Sequence, residues 1–556
     1  MRVAVVLGVI GMSLIAREAH AQRWQDATAQ CLGTTAEWTN KVEVADVDGD
    51  GHVDMLLANG GDYNSAGTAE PPRIWKNLAN WTATTPHCEE ITTSVVGSFT
   101  GLSRMIKAAD LDGDGDLEIL TGGAWATQLK LFRRDAAGWT DVSAQLPQQP
   151  TNIGDAEFGD VDGDGDIDIV LADWGTGNPQ SNAGGRTKLY RNNGQATFTD
   201  ETVADMPDML VRWSWDLELA DVDGDFDLDT LVSCKSCTSS LLFRNNGMGH
   251  FTDDPAALPH FANNYEFEPM DIDGDKDLDL VTINDGPSVT EHVFVNNGMG
   301  MFADETSTRL AGTANPAGAD DNTMVWLDGD NDGDADLVIG TLGRDRYLAN
   351  NNGSFTLVET APNSGANATS ATLGLGIADF DEDGRLDLLQ GQGEIQNSLA
   401  DKVQLAGAMI SFDTQPPVVV VGSPVEHDVR ARIHDRVAPA HPHDFKKVVA
   451  KVNGREIPMS WYGPMLWRGR LSLEDGTPST YQVCATDRAG NEGCATYGGS
   501  SDDAGVGGDA GTEPPGDKGG CCSSTRDARG SILLALLVLT RLGMRRRRAA
   551  SRESSR

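Results

Sequence analysis

Seven nine-residue windows of alternating carboxylates recur along this 556-residue chain: DVDGDGHVD from Asp46, DLDGDGDLE from Asp110, DVDGDGDID from Asp160, DVDGDFDLD from Asp221, DIDGDKDLD from Asp271, DGDNDGDAD from Asp328 and DFDEDGRLD from Asp379. Their starts lie 64, 50, 61, 50, 57 and 51 residues apart. That period is too long for a nonapeptide solenoid and fits one four-stranded unit per repeat, the unit of a β-propeller. After each window comes a short apolar run, MLLA, ILTG, IVLA, TLVS, LVTI, LVIG or LLQG, bounded by glycines and polar turns. Such runs cannot make three helical turns and read as inner strands of each unit. The acidic window therefore joins two strands of one sheet.

The carboxylates stand at positions 1, 3, 5 and 9 of each window. They are Asp46, Asp48, Asp50 and Asp54; Asp110, Asp112, Asp114 and Glu118; Asp160, Asp162, Asp164 and Asp168; Asp221, Asp223, Asp225 and Asp229; Asp271, Asp273, Asp275 and Asp279; Asp328, Asp330, Asp332 and Asp336; and Asp379, Asp381, Asp383 and Asp387. Glycine at position 2, 4 or 6 lets the loop curl. Ca²⁺ takes six to eight hard oxygens, and a tight loop of alternating carboxylates plus one backbone carbonyl, assigned to position 7 by analogy with other such loops, supplies most of them. An EF-hand would need Glu at position 12, where this chain has Leu57, Thr121, Leu171, Val232, Thr282, Ile339 and Gln390. Without a cation, four carboxylates in nine residues repel one another. Up to seven structural Ca²⁺ ions are expected.

The same windows account for the charge. The chain has 84 acidic and 43 basic residues, a formal net charge of -41, and 34 of those acids lie in the windows. That balance argues against a nucleic-acid partner, because phosphate binding needs clustered cations on the protein.

A second element trails the first: WTA at Trp81, WTD at Trp139, FTD at Phe198 and Phe251, FAD at Phe302 and FTL at Phe355. Several are preceded by NNG, a hairpin signal. The seventh copy precedes the first window, as WQDATAQ from Trp24, similar to WTDVSAQ from Trp139. This circular shift predicts that the N-terminal strand completes the last unit and removes two exposed sheet edges.

These DxDxDxxxD loops with trailing NNGxGxFxD strands resemble the FG-GAP/VCBS repeats of the integrin α-subunit propeller and of many bacterial surface proteins. The resemblance spans residues 22–413 and implies a seven-bladed β-propeller with Ca²⁺ in the loops of its lower face, held by the four carboxylates of each window. Phe226 and Lys276 depart from the usual glycine at position 6, and Glu118 from Asp at position 9.

From residue 416 to 497 alternating runs such as VVVV, VRARI, KKVVAKV and TYQVCATD predict about seven short strands and a β-sandwich. YQVCATDRAGNEG resembles the closing strands of bacterial Ig-like domains. Trp461 and Trp467 are read as sandwich core, and His427, His434, His441 and His443 as ordinary loop histidines. The fold class is thus all-β.

The chain ends carry addresses. Residues 1–21 read as a secretory signal peptide, with Arg2, an apolar run and the small-x-small end Ala19-His20-Ala21. Export makes disulfides expected for Cys31 with Cys88, Cys234 with Cys237, and Cys484 with Cys494. Residues 498–520 read as a flexible linker. Residues 521–556, with Cys521, Cys522, a short apolar run and Arg545 to Arg548, resemble the MYXO-CTERM sorting signal. That implies a sorting protease, membrane contact only through this segment, and delivery to the cell surface, outer membrane or medium.

No catalytic residues are singled out: GxSxG, HExxH, Walker and Rossmann fingerprints are missing from the sequence. The reading is a non-enzymatic, calcium-stabilised surface binding or adhesion protein whose ligand is a glycan or a protein. The alternative is an extracellular hydrolase or lyase acting on polysaccharide or lipid.

Overall fold

The computed structural model describes residues 23–498, apart from 62–64, 82–85, 126, 149–151, 238, 285, 287, 361–370, 394–398, 439 and 474–475. The expected signal peptide, the linker beyond residue 498 and the sorting tail with Cys521 and Cys522 lie outside the described residues.

Among the described residues, the windowed part of the chain forms seven four-stranded antiparallel sheets. Their first strands, Thr39–Ala45, Ser103–Ala109, Ile153–Gly159, Leu217–Ala220, Asn264–Met270, Asp321–Leu327 and Thr372–Ala378, pack each beside the next in a cycle that returns to the start. Repeated sheets arranged in this way make a β-propeller. Each acidic window joins the first strand to the second. The apolar runs form the second strand, flanked on both sides, whereas the innermost strand is the one before the window. Burial on both faces explains why the second strands are apolar throughout rather than alternating.

The last sheet consists of Thr372–Ala378, Asp387–Gln392, Lys402–Ala406 and the N-terminal Trp24–Asp26. The expected circular shift is present. One expected strand is displaced: the fourth strand of the first sheet is Cys88–Glu90, not the segment from Trp81. Trp81 instead stacks on His87, with ring centroids 4.8 Å apart, and Cys88 is fixed by its disulfide to Cys31.

Eight further strands form two four-stranded sheets around a core that includes Val429, Ile433, Val448, Trp467 and Val483. Cys484 and Cys494 are register partners in its last hairpin and are disulfide-bonded. Cys234 and Cys237 are also joined. The histidines are not all loop residues, because His434 ends the strand Asp428–His434 and is buried.

This sandwich sits on the window ends of the middle sheets. The Tyr462 hydroxyl donates to the Phe226 carbonyl at 2.8 Å, and a Cβ on Gly422 would lie 2.9 Å from the Phe226 ring. Phe226 departs from the glycine pattern because its ring is a buried contact between the fourth window and the sandwich. Among the described residues no helix is long and apolar enough to cross a membrane.

Candidate metal centre

Each window is wound by its own carboxylates. In the first, Asp46 Oδ1 accepts backbone N–H bonds from Gly49 and Asp50 at 2.8 and 3.1 Å, and its Oδ2 accepts one from Gly51 at 2.8 Å. Asp50 Oδ1 takes the N–H of His52 at 3.0 Å. Gly49 and Gly51 have φ of +72° and +93°, a conformation glycine adopts at no steric cost. Phe226 and Lys276 hold the second of these turns at +68° and +76°, so these two windows keep the loop shape at some backbone strain.

Position 9 ties the loop to the sheet. Asp54 is fully buried; its Oδ2 accepts from Val47 N–H at 3.0 Å and its Oδ1 from Asn77 N–H, at the end of the third strand, at 2.8 Å. Asp168, Asp229, Asp279 and Asp336 accept in the same way from Asn192, Asn245, Asn296 and Asn350. The amide side chains of these asparagines reach further, to the position-2 carbonyl of the preceding window. Asn77 bonds Phe380, Asn192 Leu111, Asn245 Val161, Asn296 Val222 and Asn350 Ile272. The NNG motif marks a hairpin, and its first asparagine is also a bond between neighbouring sheets.

In several windows a carboxylate oxygen is left over. Oδ1 of Asp48, Asp112, Asp223 and Asp273, all at position 3, is buried with no hydrogen-bond partner, as is Oε1 of Glu118. In the first window, oxygens of Asp46, Asp48 and Asp50 lie within 4.8 Å of one another; Asp110, Asp112 and Glu118, and Asp160, Asp162 and Asp168, converge likewise. Unpartnered buried oxygens converging with other carboxylates fit a hard divalent cation such as Ca²⁺. The residues that would hold it are those of positions 1, 3, 5 and 9, and it would supply charge neutralisation, not chemistry. Burial pushes the position-9 carboxyls up, Asp54 and Asp336 to about 7 and Glu118, Asp168 and Asp279 to about 8, with neighbouring carboxylates adding to the effect.

The windows differ in their own counter-charges. Lys76 pairs with Asp48 and, at 2.9 Å, with Asp50. Arg191 pairs with Asp162, Arg244 with Asp223 at 3.1 Å and Arg309 with Asp273 at 2.9 Å. Among the described residues no such pair reaches Asp328, Asp330, Asp379 or Asp381. The sandwich adds three more: Arg432 Nη1 lies 3.0 Å from Asp221 Oδ2, Arg430 Nη1 lies 2.9 Å from Asp227 Oδ1, and Arg468 Nη2 lies 2.5 Å from Asp160 Oδ2. Asp221 and Arg432 are both buried. Arg432→Ala leaves that carboxylate uncompensated and is expected to cost about 3–5 kcal/mol in chelator. The penalty should shrink in Ca²⁺; urea titrations under both conditions measure it, and equal penalties would separate Arg432 from the metal loop.

At the opposite ends of the sheets lies an aromatic and cationic cluster that sequence reading missed. Trp174 and Trp215 stack at 5.0 Å, Tyr265 meets Trp215 edge-on at 5.2 Å, and the Arg104 guanidinium lies 4.2 Å from the Trp215 ring centre. Trp213 beside them is half-buried and has a φ of +55°. A bulky side chain in that conformation costs about 1–2 kcal/mol. Its segment is held by Lys235 N–H to Trp213 O at 3.1 Å and by the indole N–H to Pro179 O at 2.7 Å. WSW at 213 is the only local sequence signal for this cluster, and tryptophans scattered among repeats do not reveal that they converge.

The FG-GAP-like repeat family matches residues 110–171, 271–339 and 328–389. No curated protein matches the sequence. Solved structures similar to this chain include a lectin of Agrocybe aegerita that recognises non-reducing terminal N-acetylglucosamine, at 17% identity over 58% of this chain and 80% of that one, with a TM-score of 0.40. BBS1N in complex with ARL6DN is 12% identical over 71% of this chain and 100% of that one, with a TM-score of 0.43. An ancestral GH74 enzyme is 10% identical over 86% and 64%, with a TM-score of 0.39.

Proposed function

We propose that this chain is an exported, non-enzymatic binding protein: a seven-bladed, calcium-stabilised propeller carrying an Ig-like sandwich, which engages a surface glycan or protein through the face opposite the acidic windows. The observation that carries the reading is the division of labour between the two faces. The window face is taken up by loops that wind on their own carboxylates and by the seated sandwich, through Phe226, Tyr462, Arg432 and Arg468. The other face carries Trp213 and Trp215, both half-buried, with the buried Tyr265 and Arg104 packed behind Trp215. Partly exposed aromatic rings with neighbouring cations are the side chains that contribute most at binding surfaces. The three disulfides among the described residues support export.

Binding of the mature chain to glycan and envelope-protein arrays, followed by Trp213→Ala, tests this. A tenfold or greater loss of binding, with melting within about 2 °C of the parent, is the expected result. Undiminished binding by the variant would move the contact surface elsewhere, and turnover of any arrayed polysaccharide would overturn the non-enzymatic reading.

A further inference from the structure

The first strands place one residue of each sheet at matching register positions around the central channel. At one level these are Glu43, Lys107, Glu157, Glu218 and Glu268, opposite Leu56, Leu120, Val170, Leu231 and Val281 of the second strands. The sixth and seventh sheets contribute Val325 and Gly376, which add no polar group. A cavity of about 50 Å³ opens among the five charged residues, and Ala440, His441, Trp461 and Met465 of the sandwich also line it. That volume accommodates an ion with one or two waters.

Charge at this level is unbalanced. Lys107 is the single ammonium, and it is committed to its two neighbours, pairing with Glu157 and lying 3.8 Å from Glu43 Oε2. His441 Nε2 stands 3.3 Å from Glu43 Oε1, and burial holds its pKa well below the usual range, so the ring is neutral. Glu268 is only 6% exposed, lines the cavity, and has no hydrogen bond or ion pair among the described residues; Glu218 beside it has none either. The next level cannot help, because Lys41 there already bridges Asp155 at 2.7 Å and Asp216 at 2.5 Å.

We infer that the channel cavity is a cation site of its own, separate from the acidic windows, in which Glu218 and Glu268 receive a hard divalent cation of the Ca²⁺ class. A buried, unpartnered carboxylate is held in its charged form only by a counter-ion. Burial and the neighbouring carboxylates raise both groups well above the ordinary range, which favours their protonated forms in the absence of metal. Entry of the cation releases those protons to solvent. An oxygen-only donor set favours Ca²⁺, Mg²⁺ or Mn²⁺ over softer metals.

The test counts ions and protons. Ca²⁺ alone is titrated into the chelated full chain, stoichiometry is read by native mass spectrometry, and proton release by calorimetry in buffers of different ionisation enthalpy. Glu218→Gln/Glu268→Gln keeps the shape of both side chains. It is expected to bind one ion fewer than the parent and to release fewer protons on titration. Asp330→Asn/Asp332→Asn, in a window, should also lose an ion while keeping the channel's proton release, which separates the two kinds of site. Equal ion counts and equal proton release in parent and channel variant would overturn the proposal and leave protons as the only occupants. Should the double variant not fold, Glu268→Gln alone provides the same readout.

Discussion

Chelating calcium is expected to lower the melting temperature of this protein by on the order of 10 °C or more. A site held at a hundredfold excess over its dissociation constant contributes about 2.7 kcal/mol, and each kcal/mol is worth about 2–4 °C for a domain of about 150–250 residues and less for one as long as this propeller. Several windows acting together reach that figure even when some bind weakly. The windows are not equivalent. Asp48 and Asp50 already have Lys76, so a cation entering the first window must compete with an ammonium, whereas no such pair reaches Asp330 or Asp381 among the described residues. Asp330→Asn should therefore remove more of the calcium-dependent shift than Asp48→Asn. Scanning calorimetry in chelator and in Ca²⁺ on parent and both variants measures this. Identical melting with and without chelator would sink the metal assignment.

A pH slope accompanies that result. Burial raises the channel carboxyls of Glu43 to about 8 and Glu266 to about 7. A carboxyl raised on folding contributes stability that is complete below its unfolded value, near 4.3, and that is lost as pH rises through its folded value. Chelated protein should therefore weaken between about pH 5 and 8, the reverse of the usual behaviour of a salt-bridged acid.

The repeat was legible because its two strongest constraints are local in sequence. Alternating carboxylates need nine consecutive residues, and the apolar strand follows at once, so period and register could both be read directly. The first sheet's fourth strand was misplaced for the converse reason. Trp81 carries the aromatic signal, but the strand is Cys88–Glu90. The more faithful marker is a hydroxyl four residues on. Thr92 Oγ1 accepts from Ile74 N–H, as Ser143 does from Leu131, Thr202 from Leu189, Thr306 from Val293 and Thr28 from Val403, all between 3.0 and 3.1 Å. Aligned on Thr92, Cys88 takes the aromatic place, which a pattern built on Trp and Phe cannot see. The seating of the sandwich was invisible for a different reason. Phe226 and Lys276 stood out as defects in a metal loop, and only tertiary contact shows Phe226 packed against Gly422 and the Lys276 carbonyl bonded by Arg432. Interfaces between units leave local rule-breaking as their trace in a sequence.

Deleting residues 22–30 is expected to abolish the folded monomer, because those residues are the joint at which the ring closes. Trp24, Gln25 and Asp26 pair with Ala406, Leu405 and Gln404, and the Ala27 N–H donates to the Val403 carbonyl at 2.9 Å. Trp24 is fully buried, among Leu375, Leu388 and Ile410. The Arg23 guanidinium caps the Tyr347 ring of the sixth sheet at 4.1 Å and meets Glu359 at 3.3 Å. Without this strand, Lys402–Ala406 becomes an open edge that can pair with another chain. Trp24→Ala alone should cost about 3–5 kcal/mol, whereas the deletion removes the ladder as well and should convert the protein to oligomer or aggregate at micromolar concentration. The disulfide from Cys31 to Cys88 ties the strand to the first sheet, so its two ends span the seam between the last sheet and the first. Reducing it should lower stability less than the deletion does, since the strand pairing survives. Size-exclusion chromatography and thermal melting of parent, Trp24→Ala, the deletion and the deletion supplemented with a synthetic peptide of residues 22–30 give the comparison. Recovery of monomer by the peptide is the expected signature of a missing strand, and unchanged melting of the deletion variant would mean that the ring closes without it.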